Sequence, residues 1–336
     1  MTLSLLVATA APSWGVGDSG APRSGATAPC DVTEFPSTPD PQTSPYAQGL
    51  IELMPDGNMW FGEGNSIARI QTAAPNTITK YPLPTPMGIS NDVVAGPDGA
   101  YWFTEIIGSK IGRIVPSAPR QIREVALTAG STPDSIVVGP DGNMWFTEWS
   151  GHIARMSWRA PYAVQEFPVT SRGIPHKLVV GHDGHLWFTE PFNNSVGRVT
   201  VRRGAAPVIE EFRLPTDNAR PTGLAVGRGH DLWVTELVSG KIARLDDRTG
   251  FAVAEYPLAD GSAPTDLTMD RSGDVWFAEA GSTAIGRLHP PPLGHSATIS
   301  ECPVPTTPYF VAAAPNGDIW FTEFHDPGIS IGRIKS

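Results

Sequence analysis

The sequence predicts an all-β fold, a seven-bladed β-propeller of four-stranded blades, on three observations. The stretch from Ser135 to Glu148 places two apolar runs around an Asp-Gly pair, which is typical of a hairpin turn. Two further strand candidates follow it at 152–156 and 164–168. This unit recurs in seven copies, marked by tryptophans that lie 42 to 46 residues apart: Trp60, Trp102, Trp145, Trp187, Trp233, Trp276 and Trp320. Four strands per repeat of this length are typical of propeller blades.

The first 29 residues are predicted to lie outside the fold. Residues 3–11 form a short apolar run that ends in small residues, so residues 1–12 are interpreted as the remnant of a secretory signal peptide that lacks its basic start. A disordered leader is the alternative. Residues 13–29, rich in Ala, Gly, Ser and Pro, are predicted to be a flexible linker. The propeller is then expected to span residues 30–336 of a secreted or otherwise extracytoplasmic protein.

The chain termini are predicted to meet in one blade. The seventh repeat shows no fourth-strand pattern after Arg333, whereas residues 31–36 match the fourth strand of the third repeat, residues 164–168. We therefore expect the N-terminal strand to complete the last blade and close the ring.

The two cysteines are expected to lie in neighbouring blades, because Cys30 precedes this strand and Cys302 lies in the outer strand of the sixth repeat. They form either a disulfide that closes a very long loop, worth about 4–5 kcal/mol, or two independent buried thiols.

Composition excludes several classes of partner. The formal net charge of -10 argues against nucleic acid and anionic membranes, since both require patches of Lys and Arg. No apolar run approaches the roughly 18 residues that a membrane-spanning helix needs. The expected partner is a small-molecule ligand at the mouth of the axial tunnel, bound by a monomer.

The candidate ligand-binding residues lie eleven positions before each tryptophan, where the innermost strand begins. In a propeller this point faces the tunnel mouth, and sites gather on such loops. The residue there differs from repeat to repeat, which favours a site; the alternative is a set of ordinary polar residues in contact with water. The seven are Gly49, Asn91, Asp134, His176, Thr222, Thr265 and Tyr309.

His176 is the candidate catalytic residue. Of eight histidines, it alone follows a proline at an axis-facing position. Imidazole exchanges a proton near neutral pH, so His176 could act as a general base. A structural, hydrogen-bonded histidine is the alternative.

A glutamate also stands three residues after each tryptophan, and an arginine stands in each third strand. Because the pattern recurs in every repeat, we interpret these glutamates as architectural, satisfying backbone donors or pairing with the arginines. An acidic ring could also attract a divalent cation. No residue is assigned as a metal ligand.

The motif Trp102-Phe103-Thr104-Glu105 followed by Ile111-Gly112-Arg113-Ile114 resembles the virginiamycin B lyase family, and the resemblance covers residues 31–336. It implies a seven-bladed propeller and a Mg²⁺-assisted elimination that opens the ester-closed ring of type B streptogramins without consuming water.

The resemblance also implies catalytic histidines after proline in the last two blades. Those positions are Thr265 and Tyr309 by blade count, or Thr222 and Thr265 by local similarity. The implied metal-side glutamate falls on Phe324 or Ala280, and an implied mouth tyrosine corresponds to Tyr46, offset by three residues.

Three functions remain open at this point. The first is a lyase-like enzyme acting on a cyclic ester, a carbon–oxygen lyase in which His176 serves as base from a different blade. The second is a non-catalytic propeller that binds a small molecule, a glycan or a protein. The third is a metal-dependent lactonase in which Asn91, Asp134 and a mouth glutamate hold Ca²⁺ or a similar cation.

Overall fold

The computed structural model describes residues 30–37, 48–86, 88–119, 121–171, 173–202, 204–325 and 328–335. These residues form seven antiparallel sheets of four strands each and no helix, which confirms the predicted fold class. No helix among them is long and apolar enough to cross a membrane. The predicted signal-peptide remnant, the predicted linker and Tyr46 lie outside the described residues.

The strands follow one another from the tunnel outward in each blade. The chain begins with β1 (Val32–Ser37), and blade 1 follows with β2 (Gln48–Leu53), β3 (Met59–Glu63), β4 (Ser66–Ile70) and β5 (Ile78–Pro82). Blade 2 contains β6 (Ser90–Ala95), β7 (Tyr101–Glu105), β8 (Lys110–Ile114) and β9 (Arg123–Ala126). Blade 3 contains β10 (Pro133–Val138), β11 (Met144–Glu148), β12 (His152–Met156) and β13 (Val164–Pro168). Blade 4 contains β14 (Leu178–Val180), β15 (Leu186–Glu190), β16 (Ser195–Thr200) and β17 (Val208–Arg213).

The remaining three blades repeat this order. Blade 5 contains β18 (Pro221–Val226), β19 (Asp231–Glu236), β20 (Lys241–Asp246) and β21 (Ala252–Pro257). Blade 6 contains β22 (Pro264–Met269), β23 (Val275–Glu279), β24 (Ala284–His289) and β25 (Thr298–Pro303). Blade 7 contains β26 (Thr307–Ala313), β27 (Ile319–His325), β28 (Gly328–Ile334) and, as its outermost strand, β1.

The N-terminal strand therefore closes the ring, as predicted. β1 pairs antiparallel with β28 along its whole length, from the Val32–Ile334 pair onward. Phe35 of β1 stacks on Trp320 with ring centroids 5.5 Å apart. Next to this junction Cys30 and Cys302 form a disulfide between blades 7 and 6, with Cα atoms 5.9 Å apart.

In five blades the repeated tryptophan donates its indole N–H to an aspartate of the first hairpin. In blade 3, Gly142 adopts a φ of 74°, which lets the chain turn and brings Asp141 back to Trp145. The indole Nε1–H of Trp145 donates to Asp141 Oδ1 over 2.9 Å, and Arg155 pairs with Asp141 Oδ2 at 2.7 Å. In all seven blades the third-strand arginine lies over the tryptophan ring, 5.2–5.9 Å from its centroid.

This geometry corrects the expectation that the arginines pair with the repeated glutamates. Along β11, Trp145 and Glu148 are three residues apart, so their side chains point to opposite faces. The register pairs Trp145 with Arg155 and Glu148 with His152. The arginine therefore lies on the tryptophan face, beyond reach of the glutamate.

The core consists of seven apolar clusters, one at each interface between neighbouring blades. Each tryptophan packs against the inner strands of the next blade; Trp60, for example, lies in one cluster with Val93 and Phe103 of blade 2. The last cluster joins Trp320 of blade 7 to Phe61 of blade 1. Because every sheet buries both faces in this way, the first and last blades keep an uncovered apolar face until the ring is complete.

Candidate functional site

A β-bulge near the start of the innermost strand directs side chains into the centre of the ring. In six blades the register shifts there, for example between Ser90 and Val93, and in blade 4 the strand begins only at Leu178. The two residues inside each bulge are freed from the ladder, so both can face the axis. The sequence-predicted mouth residues occupy the first of these two places, and a second layer lies next to it.

Three of the predicted residues come together at the mouth. Asn91 Nδ2 donates to Asp134 Oδ1 over 2.6 Å and also approaches the backbone oxygen of Asp134 at 3.2 Å. The other carboxylate oxygen, Asp134 Oδ2, lies 3.5 Å from His176 Nε2. Asp134 is buried, while 30 % of the His176 side chain is exposed. The result is a chain of polar contacts from blade 2 through blade 3 to blade 4.

The two nitrogens of the His176 ring have different surroundings. Its Nδ1 is enclosed without a hydrogen-bond partner in the described chain, as is Asp134 Oδ2. A contact of 3.5 Å is long for a hydrogen bond, but such contacts often tighten only when substrate is bound.

The other predicted mouth residues tie neighbouring blades together. The Thr222 hydroxyl donates to the Thr265 backbone oxygen over 2.8 Å, and the Thr265 hydroxyl donates to the Tyr309 backbone oxygen over 2.6 Å. At Gly49 a Cβ would stand 2.1 Å from the backbone oxygen of Asn91, so only glycine fits there. At these positions the contacts described are structural ones between blades.

The positions on which the family glutamate was expected hold no carboxylate. Phe324 instead packs edge-on against Tyr309, with ring centroids 5.1 Å apart.

The second layer of the centre carries charges that the sequence analysis missed. Lys177 of blade 4 extends across the axis to Glu52 of blade 1, with 3.5 Å between Nζ and Oε1. Asp92 and Asp266 stand in the same layer and interact electrostatically with Lys177. Counting ten residues back from each tryptophan, rather than eleven, would have revealed Asp92, Lys177 and Asp266.

The electrostatics of this layer follow from its enclosure. Burial raises the pKa of Glu52 to about 7, although Lys177 acts in the opposite direction. Burial lowers the pKa of Lys177, but the carboxylates of Asp92, Glu52 and Asp266 together raise it above its usual range. The Glu52 side chain nevertheless keeps 42 % of its surface accessible, so water reaches the centre of the ring.

The repeated glutamates form a separate, buried set. In six blades the second-strand glutamate lies near a fourth-strand glutamate of the same blade, as Glu105 does with Glu124. Burial, and then the Glu124 charge, raises the pKa of Glu105 to about 8. Serine or threonine in the preceding linker contacts the outer glutamate; Thr85, for example, donates to Glu124 Oε2 over 2.6 Å. These contacts tie the linker between two blades to the carboxyl pair of the second blade.

Exposed apolar side chains stand on the loops between the second and third strands, on the mouth face. They are Ile107, Phe192 and Val238, which are 48, 54 and 50 % exposed. An apolar rim around a polar centre is the usual composition of a small-molecule site.

Among the described residues, the group with the spacing of a metal site is Glu148, His152 and Glu166 of blade 3. Asp134 is not part of this group. Asn91 moreover turns its amide N–H, not its carbonyl oxygen, to Asp134. The arrangement expected of a calcium-dependent lactonase is therefore not the one that these two residues form.

Comparison with known proteins places this architecture in a family. The model of the virginiamycin B lyase family matches residues 30–306 and 209–336. A structure of virginiamycin B lyase from Staphylococcus aureus is similar, with 30 % identity over 91 % of this chain and 99 % of that one and a TM-score of 0.78. A streptogramin B lyase structure matches at 28 % identity over 90 % and 97 % of the chains, with a TM-score of 0.77.

A catalytically inactive histidine-to-alanine variant of the S. aureus lyase, solved with quinupristin, matches at 28 % identity over 91 % and 99 % of the chains, with a TM-score of 0.76. No curated protein sequence matches significantly. The match of the family model over most of the chain, together with the shared ring of seven blades, shows that the chain belongs to the virginiamycin B lyase family.

Proposed function

We propose that this propeller is a lyase-like enzyme that opens a cyclic ester by elimination at the tunnel mouth, with His176 as the general base. The observation that carries this proposal is the contact between His176 Nε2 and the buried carboxylate of Asp134. A carboxylate beside an imidazole stabilises the imidazolium that forms when the ring accepts a proton.

The chemistry needs one base and no water. His176 removes a proton from the carbon next to a carbonyl group, and the electron pair forms a carbon–carbon double bond. The neighbouring carbon–oxygen bond of the ester breaks, and the carboxylate leaves with the bonding electrons. Asp134 holds the imidazolium, and Asn91 holds Asp134 through its other oxygen. Lys177 supplies positive charge in the adjoining layer, which favours release of an anionic group.

The rest of the mouth face suits such a substrate. Ile107, Phe192 and Val238 offer exposed apolar surface around the polar centre, which matches an apolar cyclic peptide ester better than a polar glycan. Support also comes from the relatives, since a histidine-to-alanine change gives a catalytically inactive virginiamycin B lyase.

The magnesium ion implied by the family does not fit the carboxylates described in the central layer. Asp92 accepts hydrogen bonds from Val93 N, Ser135 Oγ and Ile136 N, so both of its oxygens are already engaged. Asp266 accepts from Val311 N, and the Lys177 ammonium provides the cationic charge among these groups. No step of the proposed reaction is therefore routed through a metal, and turnover with Mg²⁺ should match turnover with EDTA.

The disulfide between Cys30 and Cys302 supports an extracytoplasmic location, because such bonds persist in oxidising compartments.

The direct test is to incubate the purified protein with quinupristin and with a panel of simple lactones and to analyse the products by mass spectrometry. Elimination opens the ring at unchanged mass, whereas hydrolysis by a lactonase adds one water. His176→Ala should lower kcat by about 10²–10⁴-fold, and Asp134→Asn should lower kcat with little change in KM. His230→Asn, on the opposite face, serves as the matched control and should retain full activity.

Non-catalytic binding of a small molecule is the second candidate. It is favoured by Thr222 and Thr265, whose hydroxyls are engaged with backbone oxygens at positions where the family resemblance implies a catalytic histidine. A ligand that raises the melting temperature without being converted, equally in the wild type and in His176→Ala, would establish this function and contradict the lyase.

A further inference from the structure

Three side chains of blade 3 converge away from the axis. Glu148 ends β11, His152 begins β12 and is its register partner, and Glu166 lies two residues before Pro168, the β13 partner of His152. Alternation along the strands places all three on one face of the sheet. One ligand atom from each lies within 4.8 Å of the others.

The equivalent places in two other blades hold a cation. Lys110 of blade 2 and Lys241 of blade 5 occupy the position of His152, and each pairs with the outer glutamate of its own blade. The distances are 2.5 Å from Lys110 Nζ to Glu124 Oε2 and 2.7 Å from Lys241 Nζ to Glu255 Oε2. In blade 3 an imidazole replaces the lysine, and neither Glu148 nor Glu166 forms a described ion pair with Lys or Arg.

Glu148 brings an unsatisfied buried oxygen to this group. The residue is fully buried, and its Oε1 has no hydrogen-bond partner in the described chain. A buried carboxylate without a counter-charge is costly, so a cation that fills this place would be strongly favoured.

We propose that Glu148, His152 and Glu166 form a binding site for a transition-metal dication of the zinc class. Imidazole nitrogen and carboxylate oxygen are both ligands of Zn²⁺, and three protein ligands leave its fourth position open to water. Mg²⁺ and Ca²⁺ prefer oxygen ligands alone, so the imidazole disfavours them.

Neighbouring hydroxyls orient the three ligands. Ser150 Oγ lies 3.1 Å from His152 Nδ1 and 3.5 Å from Glu148 Oε2. Thr128 Oγ1 donates to Glu166 Oε1 over 2.6 Å. Such contacts hold ligands in place before the ion arrives. His152 and Glu166 are partly exposed, so the ion can enter from solvent. Once bound, it links three strands of blade 3.

The test is titration of the metal-free protein with Zn²⁺ by calorimetry, with thermal melting at each step. We expect one site per chain and a higher melting temperature in Zn²⁺, with no such effect from Mg²⁺. His152→Lys copies the arrangement of blades 2 and 5, so it should stay folded, lose Zn²⁺ affinity by at least about 100-fold and no longer respond in melting. Glu166→Gln should also weaken binding.

Two variants separate this site from others. His176→Asn at the mouth and His230→Asn on the opposite face should bind Zn²⁺ like the wild type. A wild type that binds no Zn²⁺ at micromolar concentration, or a His152→Lys variant that binds as tightly as the wild type, would overturn the proposal. The readouts do not depend on any catalytic activity.

Discussion

Lys177 is the residue on which the electrostatics of the ring centre depend. It stands 125 residues from Glu52 in sequence and reaches that residue across the axis. Its side chain is only 11 % exposed, whereas Glu52 is 42 % exposed. The lysine of this ion pair is therefore buried, whereas its glutamate is in contact with water.

Lys177→Met should destabilise the fold, because it leaves Glu52, Asp92 and Asp266 without their cation. The loss should be at the low end of the roughly 3–5 kcal/mol typical of a broken buried pair, since water reaches Glu52. It should shrink as the pH falls from 8 to 5, because protonation then neutralises Glu52, whose pKa is about 7 already with Lys177 in place. Urea denaturation at several pH values measures this.

Lys335→Met is the matched control. That lysine pairs with Asp31 at 3.5 Å, but the two side chains are 52 and 63 % exposed. Exposed ion pairs contribute little to the free energy of unfolding, so the variant should unfold like the wild type. Equal losses for Lys177→Met and Lys335→Met would show that the ring centre carries no special electrostatic role.

The glutamate pairs act at the scale of the strands and linkers that join one blade to the next. In five blades the pKa of the second-strand glutamate is raised to about 7 or 8, first by burial and also by the neighbouring carboxylate: Glu105, Glu148, Glu236, Glu279 and Glu323. Blade 1 differs, because Lys80 replaces the outer glutamate and pairs with Glu63 at 2.5 Å.

These raised values predict a loss of stability at alkaline pH. A carboxyl group that titrates near 4.5 when unfolded and near 7–8 when folded binds its proton more tightly in the native state. Its stabilising effect is complete below pH 4.5 and disappears as the pH rises through 7–8. Groups with lowered pKa values, such as Asp141 and Glu124, have the opposite effect and favour the fold above their unfolded values. The melting temperature should therefore be highest at mildly acidic pH.

Substitution in one pair tests this cause. Glu105 has both carboxylate oxygens buried without partners in the described chain, so Glu105→Gln should raise the melting temperature at pH 8 and change little at pH 5. Glu63→Gln, which removes the partner of Lys80, should instead lower the melting temperature at pH 8. A change of the melting temperature in the same direction for both variants at pH 8 would contradict this explanation.

Closure of the ring is a property of the whole molecule. β1 supplies the outer strand of blade 7, the stacking of Phe35 on Trp320 and, through Cys30, the disulfide to blade 6. The disulfide by itself closes a loop across 272 residues. Replacement of both cysteines by alanine should then lower the free energy of unfolding by about 5–6 kcal/mol in the chain-entropy model.

Deletion of residues 31–37 should cost more than loss of the disulfide. It removes the strand that covers β28 and leaves an unpaired edge at the junction of the two termini. Calorimetric melting should show a broad, weakly cooperative transition for the deletion and a sharp one, at lower temperature, for the double cysteine variant. A sharp transition at unchanged temperature for the deletion would mean that β1 does not hold the ring closed.

The number of blades, the order of their strands and the closure by β1 were all determined by the sequence alone. Each depends on patterns that are local to one repeat: tryptophan spacing, Asp-Gly turns and a fourth-strand motif at residues 31–36. The mouth positions followed from the same count, and Asn91, Asp134 and His176 do lie in contact.

Only the tertiary structure decided which side chains meet across blades. In blade 2 the bulge turns two successive residues toward the axis, so Asp92 enters the centre although strict alternation would face it away. Lys177 precedes the first paired residue of β14, Leu178, so strand alternation does not fix its direction. The arginines stack on tryptophan instead of pairing with glutamate. The register between neighbouring strands, together with the alternation of side chains along each strand, decides which side chains share a face. The contact between Lys177 and Glu52 joins blades 4 and 1 across the tunnel, and it exists only because the ring is closed.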